Sequence, residues 1–169
     1  MRFIKDGGPA QDRFRRIADD TAVPEGVAVL LSDKRFTAEA AALASRPAPV
    51  GVIWPNNRNI AELQPHLGKL AAVALNFPSF RDGRAYSQAR LLRERFGYRG
   101  ELRATGQVLR DQFLFMLRAG FNAFEVLKDR DAEHFSDAVR RYTVFYQPSV
   151  DRRPVISRVR QDREHAAAS

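Results

Sequence analysis

At 169 residues with 44% hydrophobic content, the chain is one domain's worth and long enough to bury a single sizeable core. It has no cysteine, which excludes a disulfide framework, a thiolate nucleophile and cysteine-ligated zinc or iron–sulfur centres. The net charge of +8 is an arginine charge: only four of the 28 basic residues are lysine, and the arginines interleave with acids as in DRFRR, RLLRERF and DRDAEH.

Residues 1–26 are polar and contain GGP, so a loose lead-in or an edge feature is expected before the core begins. VAVLLS at 27–32 is a short apolar run read as the first buried strand, and the alanine-rich FTAEAAALA after Ser32-Asp33-Lys34 is read as a helix stopped by Arg46-Pro47-Ala48-Pro49. VGVIW at 50–54 is the second strand, followed by a helix capped by Asn57 or Asn59 that sets Ile60, Leu63 and Leu67 on one side. AAVALNF at 71–77 is the third strand. Ala85, Ala89, Leu92 and Phe96 then recur at helical spacing, with Asp82 placed to cap that helix. ELRATG at 101–106 gives the fourth strand, Leu109, Phe113, Met116, Leu117 and Gly120 a second helical stripe, and NAFEVL at 122–127 the fifth strand. A helix over 132–142 and a sixth strand, TVFYQ at 143–147, complete a single domain spanning 27–150. From 151 to 169 the chain carries five arginines and little apolar material, which predicts a flexible basic tail.

Strands recurring every twenty to thirty residues with a helix between them predict an α/β fold of about six βα units on a parallel sheet. An incomplete TIM-barrel-like form is the favoured closure, because ATGQVLRDQFLFMLRAGFNAFEVL looks like the late units of such barrels; an open three-layer αβα sandwich is the alternative. In either closure the loops after the third and fourth strands open on the same sheet edge, where α/β proteins place their sites. Those loops carry Arg81, Asp82 and Arg84, then Arg103, Thr105 and Gly106, with Tyr86 and Ser87 as hydroxyl donors and Asp111 to orient an arginine. Backbone N–H groups at helix starts together with arginines suit sulfate, sulfite, phosphate or carboxylate. The competing reading makes Asp82 a cap and pairs Arg84 and Arg103 with carboxylates to hold the loops.

The run FRDGRAYSQARLLRERFGYRGELRATGQVLRDQ, continuing into LRAGFNAFEV, resembles the hallmark segment of an uncharacterised bacterial family classed as a domain of unknown function, from about Val27 to Ser149. Members of that family are often encoded beside sulfite reductase, and some are labelled oxidoreductases. The resemblance implies a role in sulfur assimilation, and joined to the arginine-rich loops it gives an accessory protein of assimilatory sulfate or sulfite reduction that binds an anion or a partner protein through those loops, the partner being sulfite reductase or another sulfur-assimilation protein. The alternative it implies is an oxidoreductase, or a subunit of one, acting with sulfite reductase. It transfers no catalytic residue.

The residues themselves leave open whether the chain is an enzyme, and they name no cofactor. His66, His134 and His165 have no metal-ligand spacing, and neither a P-loop nor GxGxxG occurs. Trp54 offers a stacking face for a planar ligand or is simply structural, and Glu125 and Gln147 at later strand ends face the same site or the surface. Specific nucleic-acid binding is not expected, since zinc-finger, RRM and helix-turn-helix signatures are all missing. No apolar run approaches a membrane span and the N-terminus has no apolar signal region, so a soluble cytoplasmic protein is expected.

Overall fold

The structure, a computed structural model, describes residues 2–127, 135, 145, 148–150, 155 and 156. Five strands run parallel and in chain order across the middle of one sheet: β4 (Val29–Ser32), β5 (Val50–Trp54), β6 (Leu70–Phe77), β7 (Glu101–Gly106) and β8 (Ala123–Val126). A doubly wound sheet reverses its strand order so that helices cover both faces, whereas neighbours in chain order are the barrel arrangement. The sheet is accordingly a curled half-barrel, with all the intervening helices on its outer face.

Strand parity divides the side chains cleanly. Val29, Leu31, Val52, Trp54, Val73, Leu75, Phe77, Leu102, Ala104, Phe124 and Val126 point outward into one core shared with the helices. The helices contribute Phe36 and Leu43 from α1 (Asp33–Ala44), Ala85 and Ala89 from α2 (Arg84–Arg90), and Phe113 and Met116 from α3 (Phe113–Ala119). Ser32 caps α1, its hydroxyl accepting from the Arg35 amide at 3.1 Å. Helix α2 continues through a π-helical stretch, Leu91–Arg95, that buries Leu92. Between β5 and β6 the segment Ile60–His66 is a 3₁₀ helix rather than an α-helix, consistent with Pro65 inside it, and it still buries Ile60 and Leu63. Leu109, expected on the second helical stripe, precedes the helix in extended conformation and is exposed.

The sheet is not wholly parallel, and the N-terminal segment is the reason. β1 (Arg2–Lys5) pairs antiparallel with β8 and with β2 (Gly8–Ala10), while β3 (Arg15–Arg16) adds to the opposite edge beside β4. The β1–β2 hairpin turns on Asp6 and Gly7, both at positive φ (49° and 98°), the backbone that an Asp-Gly pair supplies most easily. Of the two readings of this segment, a loose lead-in or an edge feature, the second is the one found: it forms both sheet edges, with Ile4 fully buried in the main core and Phe14 buried over Leu30, Ala72 and Ala74 on the concave face. The helix expected over 132–142, the strand over 143–147 and the tail from 151 lie outside the described residues, apart from the core residue Phe135, a parallel bridge between Phe145 and Val155, and Ile156.

Candidate functional site

On the outer edge, after β6, Asp82 and Arg84 close on each other. The Asp82 carboxylate accepts the Arg84 amide at 3.3 Å and the guanidinium at 2.6 to 3.2 Å, and Gly83 rather than Asp82 occupies the cap position of α2. The guanidinium of Arg84 holds the Asp82 carboxyl well below the usual carboxylate range. Asn56 is close enough to lower it a little further, yet its Nδ2 closes no hydrogen bond of its own. Arg84 remains largely exposed, so the pair adds little to stability.

Arg103 lies elsewhere. Glu101, Arg103 and Thr105 of β7 and Glu125 of β8 point to the concave face, where residues 12–16 cover them. The guanidinium is 0% exposed and every one of its N–H groups is taken: Nε and Nη2 by Glu101 at 3.0 and 2.7 Å, Nη1 and Nη2 by Asp12 at 2.7 and 2.8 Å, and Nη1 by Glu125 at 2.9 Å. Lys5 adds a pair to Glu101 at 3.0 Å, and Arg16 bonds both Glu125 and Thr105. Three cations face three carboxylates, and burial, which alone would lower the Arg103 pKa, is outweighed by hydrogen bonds and charge from Asp12, Glu101 and Glu125 that raise it. Burial likewise would push the Asp12 carboxyl up, but the Arg103 and Phe14 hydrogen bonds hold it below its ordinary value. Arg103 therefore has no donor left for an anion and does not converge with Arg84. Thr105 and Glu125 belong to the same buried cluster, in which the Thr105 hydroxyl donates to Glu125. Gly106 sits at the end of β7 with φ +89°.

Tyr86 and Ser87 open onto a different place, a cleft of about 250 Å³ between α2 and α3 that Arg90, Phe115, Arg118, Ala119, Pro148 and Ser149 complete. The Tyr86 ring packs edge-on against Phe77 at 5.3 Å, and burial pushes its hydroxyl up to about 12, so it stays a donor. A raised folded value contributes stability that is complete below the ordinary value of 10.0 and lost as pH rises toward the folded one. Unfolding free energies measured between pH 10 and 12 should therefore fall less steeply for Tyr86→Phe than for wild type, by up to about 1.4 kcal/mol per pH unit; parallel slopes would show that this hydroxyl is not buried.

The edge connections also carry apolar groups. Phe80 (43% exposed), Leu109 (43%) and Leu127 (63%) stand out from the ends of β6, β7 and β8. Two glutamines lock the first two connections together: Gln107 Oε1 accepts from the Phe80 amide at 3.2 Å, and Gln112 Nε2 donates to the Phe80 carbonyl at 3.0 Å. The Arg81 guanidinium lies 5.4 Å from the Phe80 ring centroid and makes no ion pair among the described residues. Among the described residues Arg110 meets only the exposed Asp111, at 3.8 Å.

Trp54 is 1% exposed and covered by Arg58, whose guanidinium lies 4.3 Å from the ring centroid, so it has no free face for a planar ligand. Arg58 is itself paired with Asp33 and Glu62. His66 packs edge-on to Phe36; His134, His165 and Gln147 lie outside the described residues. Among the described residues no group of three or more His, Asp or Glu is placed to hold a metal, and no helix is long and apolar enough to cross a membrane. Sequence reasoning missed Asp12, Arg16 and Lys5, whose partners lie about a hundred residues away, and Arg90.

A family model described as a bacterial protein of unknown function (DUF934) matches residues 51–156. No curated protein and no solved structure matches the chain.

Proposed function

The chain belongs to this bacterial family of unknown function, and on that footing we propose that it is an accessory protein of assimilatory sulfite reduction that docks an acidic partner through the carboxyl edge of its sheet. The observation that carries the reading is the exposed row Phe80, Leu109 and Leu127 beside Arg81 and Arg110. Apolar side chains of this size held out on hydrogen-bonded loops bring no stability to the free protein, whereas at an interface they fill pockets while arginines at the rim select an acidic surface. The gene neighbourhood implied by the family resemblance supplies the candidate partner, sulfite reductase or another protein of the same pathway.

The test is a pull-down from a sulfate-grown host, followed by measured binding of the captured sulfite reductase to wild type and to Leu109→Asp and Phe80→Asp. Both positions are exposed, so the variants fold. Each should weaken binding by about tenfold or more, a loss of at least 1.4 kcal/mol, and wild-type binding should fall with added salt. Capture of no sulfur-assimilation protein, or unchanged affinity in both variants, overturns the reading.

A further inference from the structure

We propose that the cleft between α2 and α3 is a binding site for a small oxyanion of the sulfate, sulfite or phosphate kind. Three donors on one helical stretch open into it: the Tyr86 hydroxyl, the Ser87 hydroxyl and the Arg90 guanidinium. None of the three closes a side-chain hydrogen bond or an ion pair among the described residues. Arg118 of α3 lines the opposite wall with Ser149, and Phe115, Ala119 and Pro148 give the rest of the wall an apolar surface. Among the described residues no carboxylate lines the cleft.

That last feature separates this place from the acid-paired arginines described above. Arg84 is answered by Asp82, Arg58 by Asp33 and Glu62, and Arg103 and Arg16 by the buried acids of the concave face. Arg90 has no acid among the described lining residues to answer it, and Tyr86 and Ser87 beside it bring hydroxyl donors. A guanidinium beside hydroxyl donors is complementary to an oxyanion, whose oxygens accept and never donate. At about 250 Å³ the cleft takes a tetrahedral or pyramidal anion with room for one substituent, so a free anion and a phosphate or sulfate ester are both admitted. The inference does not depend on the docking edge: it uses no residue of that patch.

The experiment is a thermal melt of the full chain, without partner, in sodium sulfate, sodium sulfite, sodium phosphate or glycerol phosphate, each against sodium chloride at matched ionic strength. A ligand held only by the folded state raises the melting temperature by mass action. Sulfate and phosphate also stabilise proteins generally, through exclusion from their surfaces, so the deciding quantity is the difference between wild type and Arg90→Ala. Arg90 is exposed and has no ion pair among the described residues, and its alanine variant should melt like wild type in chloride. In the oxyanion salts, Arg90→Ala should lose about tenfold or more in apparent affinity and Tyr86→Phe several-fold, while Arg84→Ala and Leu109→Asp respond as wild type does. The order of affinity among the four anions identifies the source, free anion or ester. An identical salt response in wild type and Arg90→Ala removes the site. A response lost in Leu109→Asp but kept in Arg90→Ala moves it to the docking edge and equally overturns the proposal.

Discussion

Replacing Arg103 with alanine is expected to lower the melting temperature by about 6–20 °C, the equivalent of about 3–5 kcal/mol. The side chain is fully buried and all of its donors are spent on Asp12, Glu101 and Glu125. Truncating it leaves three carboxylates around a dry hole, with only Lys5 and Arg16 near them. Lysine at the same position keeps the charge but not the planar fork that reaches three acids at once, so Arg103→Lys should fall between wild type and alanine. The pH dependence separates charge from packing. In wild type, Asp12 has a lowered folded value, so its contribution is present above the ordinary 3.8 and lost as pH falls through the folded value. In Arg103→Ala, Asp12 has burial without its guanidinium and is pushed up, so the deficit against wild type should shrink as pH falls from 7 to 5. A deficit that is constant with pH would mean that the hole, and not the orphaned charge, carries the loss. A deficit below about 1 kcal/mol would show that water reaches the cluster and solvates the acids.

The strands of the outer core were legible because burial writes apolar residues at the period of the element, a continuous run where both faces are covered, as in Val50–Trp54; Glu101–Gly106 is also found with the bounds expected of it. The helical stripe of Ala85, Ala89 and Leu92 was legible for the same reason. The concave face was not. In ELRATG the polar residues alternate with Leu102 and Ala104, a pattern that ordinarily means one wetted face, and nothing local says that Asp12, 91 residues away, arrives to bury Arg103. The N-terminal segment hid its role in the same way: Phe3, Ile4, Phe14 and Ile17 are single apolar residues among charges, without the run or period that marks an element. Its Asp6-Gly7 pair was the one local signal, since both positive φ values belong to a two-residue hairpin turn. At the loops, arginine type and spacing could not say which guanidinium was already paired. That depends on whether an acid is next to it in space, as Asp82 is to Arg84 and as none among the described lining residues is to Arg90.

Gly106 was expected to bring backbone N–H groups to a ligand, and the structure gives it a different necessity, which predicts that Gly106→Ala costs about 3 kcal/mol before any ligand is added. Its φ of +89° is a backbone that an L side chain enters only with strain, about 1–3 kcal/mol. A Cβ built there would stand 2.4 Å from the Phe77 carbonyl oxygen and 2.7 Å from Asn76 Oδ1. The strand cannot move aside freely, because the Gln107 amide donates to that same Phe77 oxygen at 2.8 Å and holds the end of β7 against β6. Alanine must break this bond or push β6 away, and forced overpacking of this kind costs about 1–3 kcal/mol more. Gly68, with an unstrained φ and nothing within 4 Å of its added Cβ, is the control that should melt like wild type. The consequence reaches the docking edge as well: Gln107 is also the residue that ties Phe80 in place, so Gly106→Ala should weaken partner capture while the response of the α2–α3 cleft to oxyanions persists. Melting curves and the two binding measurements on this one variant check all three statements. A variant that melts like wild type would show that the edge yields to the extra methyl group, and would return Gly106 to the role of a ligand contact.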